Sequence, residues 1–135
     1  MNRPKTASIE ILSEIKNIKR VSSEILGSLL PYNVSEDRLF DIRLCAEEAV
    51  RNAIVHGNRS NAKARVRVYY RIENDRINIE VEDEGDGYDP DSIPDPTGDN
   101  DIMKESGRGV YLIRVLMDRV EFNKKGNKIT MEKAL

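Results

Sequence analysis

The chain contains no tryptophan, one cysteine and one histidine, and its aromatic fraction is only 5%. A core with so few rings has to be built from aliphatic side chains. The lone Cys45 has no second thiol to pair with, which excludes an internal disulfide framework and suits a reducing, cytoplasmic setting with a buried, unreactive thiol. The lone His56 cannot complete a usual zinc site or a Ser-His-Asp triad, and it reads as a structural histidine at a helix end. An excess of charge of one sign is missing too: Lys+Arg 22 against Asp+Glu 24 leaves a net charge of −2. Direct nucleic-acid or membrane partners are therefore not expected. No apolar run approaches the roughly 18 residues of a membrane span, and Met1 to Thr6 lacks the apolar region of a secretory signal. There is no internal repeat and no G-x-x-x-x-G-K-[ST] loop. The pair Gly85 and Gly87 is followed by Pro90 where a dinucleotide fingerprint wants glycine.

What is present fits a single domain over 1–135. Ser8 to Leu12 alternates as a short strand, and Ser13 stands where the N-cap of a following helix belongs. That helix carries Ile15, Ile18, Val21, Ile25, Leu26 and Leu29 and stops before Pro31. Ser35, with Glu36 and Asp37 behind it, caps a second helix that runs to Gly57. The pattern then switches period. Val66, Val68, Tyr70 and Ile72 share one strand face, and after a turn at Asn74-Asp75 the odd-numbered Ile77, Ile79 and Val81 face the core. Asp83 continues that inward set. Periodicity vanishes from about 86 to 106, a segment with Pro90, Pro94 and Pro96 that reads as a lid or binding loop. Gly107-Arg108-Gly109 then opens a mostly apolar helix, and two strands flank a turn at 124 to 127. The expectation is an α+β two-layer sandwich, with three main helices on one face of a mixed, largely antiparallel sheet.

Three stretches carry candidate chemistry. On the second helix Glu48, Asn52 and His56 form a polar stripe bordered by Leu44, Cys45, Ala49 and Val55. A carboxylate there is costly unless it is satisfied or used, and on this helix alone Glu48 reads equally as an active acid and as a boundary group satisfied by Asn52 or backbone. Glu47, four residues from both Arg43 and Arg51, reads as its solvated neighbour. Asp83-x-Gly85-x-Gly87 places an inward acid beside glycines that let backbone approach a flat ligand, and such an acid can accept from an exocyclic amine. Taken alone this short pattern is more simply an Asp-capped turn. Gly107-Arg108-Gly109 at a helix start suits an anion, and alone reads more simply as a flexible helix entry.

In this order and on these elements, Glu48-x-x-x-Asn52, Asp83-x-Gly85-x-Gly87 and Gly107-x-Gly109 resemble the nucleotide-binding boxes of the GHKL ATPase superfamily with its Bergerat fold. Glu48 to Gly57 and Gly107 to Ile113 look most like the stand-alone anti-sigma-factor serine/threonine protein kinases. The resemblance implies an ATP-dependent serine kinase using ATP and Mg2+. Glu48 would be the general base and Asn52 the magnesium ligand, Asp83 would bind the adenine amine with Gly85 and Gly87 beside the ring, and Gly107, Arg108 and Gly109 would cradle the phosphates. It further implies a homodimer that regulates transcription by switching between a STAS-type anti-anti-sigma protein and a sigma factor. The alternative is a nucleotide-dependent protein-binding module with weak or no phosphotransfer. Two positions depart from the family pattern: Asn127 stands where a threonine follows the last glycine, and Glu105 where some members carry a basic residue.

Overall fold

The computed structural model describes residues 4–86 and 105–135, with the side chains of Glu105 and Ser106 left aside. The expected lid from about 86 to 106 and Gly87 lie almost wholly outside the described residues.

The order of elements follows the periodicities. Strand β1 (Lys5–Leu12) leads through a short 3-10 turn into helix α1 (Ile18–Leu29), and helix α2 (Glu36–Asn52) follows after a second 3-10 turn holding Pro31. Strands β2 (Arg65–Glu73) and β3 (Arg76–Glu82) form a hairpin, and helix α3 (Glu105–Leu116) precedes strands β4 (Arg119–Phe122) and β5 (Lys128–Ala134). In β2 the burial alternates residue by residue, with Val66, Val68, Tyr70 and Ile72 inside. Asn74 and Asp75 both adopt positive φ, 53° and 60°, the conformation that a two-residue hairpin of this twist demands and that Asn and Asp tolerate.

The sheet order is β1-β2-β3-β5-β4, and every pairing is antiparallel. The sequence reading expected a mixed, largely antiparallel sheet. It is antiparallel throughout because β5 folds back and inserts between β3 and β4. The two strands joined through α3 point the same way but never become neighbours. The helices cover one face, and the core between the layers is aliphatic: Ile25, Ile42, Ile54, Ile77, Ile79 and Ile113 are all 1% exposed or less.

Local chemistry sets the helix ends. Ser35 caps α2 as expected, its Oγ accepting from the Arg38 N–H at 3.3 Å with Glu36 and Asp37 in the first turn. Ser13 does not cap α1. It is buried, and its Oγ donates to the Ala64 carbonyl at 3.0 Å, so it fastens the end of β1 to the chain entering β2. Glu47 is not a solvated ladder residue either. It is half-buried and accepts from Ser22 of α1 at 2.7 Å, and no ion pair with Arg43 or Arg51 forms among the described residues. That bond ties α1 to α2 one residue before Glu48. Lys133 donates to the Leu116 carbonyl at 2.6 Å and lies 3.7 Å from Asp41, tying the last turn of α3 to α2. Cys45 is fully buried on α2, where burial above all pushes its thiol up to about 12.

Candidate nucleotide site

Helix α2 gives way at its C-terminal end to a π turn over Ala53–Gly57. A π turn inserts an extra residue per turn, and such insertions gather at functional sites because they redirect side chains and backbone that an α-helix would aim elsewhere. Here the turn delivers Gly57 against the end of β3. A Cβ on Gly57 would collide with the Asp83 carboxylate, and one on Gly85 would collide with the Gly57 carbonyl oxygen. Only hydrogen fits at either place, so two glycines and one acid interlock.

Asp83 is 8% exposed, one residue beyond the last residue of β3. Its backbone is held by Asn127: the Asp83 N–H donates to the Asn127 carbonyl at 2.9 Å, and the Asn127 amide donates to the Asp83 carbonyl at 3.0 Å. One carboxylate oxygen accepts from the Gly85 N–H at 2.7 Å. Burial raises the Asp83 pKa; the Gly85 bond opposes that shift, Glu82 adds to it and Lys125 offsets part. The carboxylate therefore keeps acceptor capacity in a place where charge is costly.

Asp83 borders a cleft whose walls include Ala53, Val81, Phe122 and Ile129, with Asn52 at another polar corner. The cleft has a volume of about 300 Å³ and is partly open to solvent. Asn127, at the position where threonine was expected, is engaged as a brace. Its side-chain oxygen accepts from Asn123 at 2.8 Å, and Asn123 in turn accepts from the N–H groups of Gly126, Asn127 and Lys128.

Helix α3 closes the other side. Gly109 is buried against α2 so closely that a Cβ there would lie 2.9 Å from Glu48 Oε2 and 3.0 Å from Asn52 Nδ2. Gly107 is buried one residue pair earlier, and Arg108 between them is exposed. Both glycines lie near the start of α3, and the Gly107 N–H falls in its first turn, where backbone N–H groups lack helical partners. Asn52 is 6% exposed, yet its Oδ1 is buried with no partner among the described residues. An orphaned oxygen at that depth is unfavourable unless something binds it. His56 Nε2 is the other such atom, one turn along the same stripe.

The structure thus brings Glu48, Asn52 and Gly109 into contact, and Asn52 and Asp83 onto one cleft. Gly85 interlocks with Gly57 and Asp83, Gly107 and Arg108 share α3 with Gly109, and Gly87 lies outside the described residues. Sequence reasoning missed the roles of Gly57, Asn58 and Asn127. Gly57 left a signal, a glycine at the end of the polar stripe, but was read as a helix stop, and Asn127 was noted only as a departure from the family pattern.

Residues 12–133 match the family described as histidine kinase-like ATPase domain. The chain belongs to this family. It is 31% identical over 129 residues to the serine-protein kinase RsbW of Bacillus subtilis, covering 90% of this chain and 79% of that protein. It is also 31% identical over 105 residues to the serine-protein kinase RsbW of Staphylococcus aureus strain Newman, covering 72% of this chain and 66% of that protein. The α+β architecture and the GHKL resemblance read from the sequence stand. No described helix is long and apolar enough to cross a membrane.

Proposed function

We propose that the protein is an ATP-dependent serine kinase that phosphorylates a STAS-type anti-anti-sigma protein in the cytoplasm and, as a homodimer, exchanges that partner for a sigma factor. The observation that carries this reading is the convergence of Glu48, Asn52 and Gly109 beside the Asp83 cleft, with the Asn52 oxygen left unpaired.

In this reading Asp83 accepts from the exocyclic amine of adenine, and Gly85 and Gly87 leave room at the ring edge. Gly107, Arg108 and Gly109 cradle the phosphates: the Gly107 N–H donates to a phosphate oxygen, Gly109 keeps bulk away from Glu48 and Asn52, and the exposed Arg108 guanidinium offsets the charge. The unpaired Asn52 Oδ1 is a hard oxygen donor of the kind Mg2+ accepts, so the donor chemistry fits. When bound, Mg2+ supplies charge neutralisation across the phosphates. Glu48 takes the proton of the serine hydroxyl. The serine oxygen forms a bond to the γ-phosphorus as the bond from that phosphorus to the β–γ bridging oxygen breaks, and ADP leaves. Phosphoryl transfer asks a protein mainly for positioning and charge stabilisation, which a rigid helix pair provides.

The test is incubation with γ-labelled ATP and Mg2+ beside a STAS-type protein from the same cell. Serine labelling is the expected result. Tight ATP binding without labelling of any candidate would replace the kinase by a nucleotide-switched binding module, and no binding of adenine nucleotide would overturn the site itself.

A pH dependence follows from Asp83. Its folded pKa is raised, so the unliganded chain is favoured by protonation of this group below the unfolded value, and that contribution is lost as pH rises through the folded pKa. Nucleotide binding has the opposite sign, because the ionised carboxylate is the better acceptor. ATP affinity should therefore fall on acidification with a midpoint above the ~3.9 of a free aspartate. Calorimetric titrations across the acid range check this, with Asp83→Asn as the control that lacks the midpoint.

A further inference from the structure

We infer that Asn58, seated on Ser13, is a positioning residue that sets the adenine selectivity of the Asp83 pocket. This rests on the adenine-binding role proposed for Asp83. Asn58 does not line the cleft, so it would act through Asp83 rather than on the nucleotide.

Asn58 follows the π turn and is 6% exposed. Its amide makes three bonds. Nδ2 donates to Ser13 Oγ at 2.7 Å and to the Arg65 carbonyl at 2.9 Å, and Oδ1 accepts from the Glu84 N–H at 2.8 Å. Only this orientation of the amide satisfies all three partners. Ser13 passes the connection on by donating to the Ala64 carbonyl at 3.0 Å. One side chain thus joins the end of β1, the start of β2 and the peptide immediately after Asp83.

That last bond is the informative one. Asp83 is gripped before its Cα by its own N–H on the Asn127 carbonyl at 2.9 Å, and after it by Asn58 on the Glu84 N–H. Without the Asn58 acceptor the 83–84 peptide is held from one side only, by the Asn127 amide on its carbonyl, and the Gly85 N–H alone is left to set the tilt of the carboxylate. A single hydrogen bond to an exocyclic amine is directional, so a tilted acceptor weakens that contact more than it weakens ring stacking or phosphate binding. The Asn58 contribution should therefore appear in the discrimination between bases. A buried amide with all its partners made is also the kind of network that fixes one geometry.

The experiment compares dissociation constants for ATP and for inosine triphosphate, which carries a carbonyl where adenine carries the amine, using the full chain with Mg2+. Wild type should prefer ATP, and Asp83→Asn should lose that preference. Asn58→Ala should lower the ATP preference by about tenfold, the usual worth of one hydrogen bond with its partner left unmade. Asn58→Asp keeps the acceptor for Glu84 but loses both donors, so it should melt at lower temperature while retaining most of the preference. That separation of stability from selectivity is what a merely structural role does not produce. Equal weakening of both nucleotides by Asn58→Ala overturns the proposal. If Asp83→Asn keeps the wild-type preference, the adenine reading falls and the brace with it; if Asp83→Asn loses the preference while Asn58→Ala keeps it, the brace alone falls. Should Asn58→Ala fail to fold, hydrogen exchange at the Glu84 amide of the wild-type protein decides. Protection is expected, and exchange at the rate of an open loop overturns the proposal.

Discussion

Replacing Glu48 by alanine should lower phosphoryl transfer by about 10³-fold while the ATP dissociation constant stays within about threefold. A positioned general base acts on the hydroxyl that attacks, not on the nucleotide that waits, so its removal falls on turnover. The geometry argues for that separation. Glu48 does not wall the Asp83 cleft, and its carboxylate lies against Gly109. Alanine also opens space under α3, so Glu48→Gln serves as the companion that keeps the volume and removes the base. Both variants should be equally slow. Initial rates of serine labelling, measured beside ATP titrations of the same preparations, check the point. Parallel losses of rate and ATP affinity would instead make Glu48 a binding residue.

Gly85→Ala is expected to damage both folding and nucleotide binding. Its Cβ would overlap the Gly57 carbonyl oxygen, a backbone atom fixed by the π turn, and no rotamer change can relieve that. Forcing bulk into a packed place costs about 1–3 kcal/mol, and the displaced atoms here are those that hold Asp83. Urea unfolding should show that loss, and ATP affinity should fall at least about tenfold because the misplaced pocket loses at least one directed hydrogen bond. Gly27→Ala is the internal control. A Cβ at this position in α1 would meet nothing within 4 Å, and alanine is worth up to about 1 kcal/mol over glycine inside a helix. The two substitutions add the same methyl and should shift the unfolding midpoint in opposite directions.

Much of the fold was legible because it follows from periodicity and turn chemistry. The alternation from Val66 to Ile72 gave β2 its inward face, Asn74-Asp75 gave the hairpin its turn, and Ser35 gave α2 its start. Asp83 was found by the same logic, as the polar member of an apolar set. The failures share a cause as well. Ser13 and Glu47 form side-chain bonds to residues 51 and 25 positions away, Ala64 and Ser22, and no local pattern encodes such partners. Asn58 was overlooked because a polar residue after a helix-ending glycine looks like ordinary loop. The π turn was hidden for a related reason: a helical wheel drawn in α geometry through Asn52 continues smoothly to His56 whether or not an extra residue is accommodated. The contact between Gly109 and the Glu48–Asn52 pair depends on how α3 docks, which tertiary packing and the Lys133 tie decide.

The buried thiol of Cys45 has a practical side. A cysteine with no exposure and a pKa pushed up to about 12 offers almost no thiolate to maleimides or iodoacetamide near neutral pH. The native chain is therefore silent to thiol-directed dyes and spin labels. A single cysteine introduced at an exposed position such as Tyr111 on α3 would be its one reactive handle. Distances between that helix and a bound partner could then be followed without first removing a core residue.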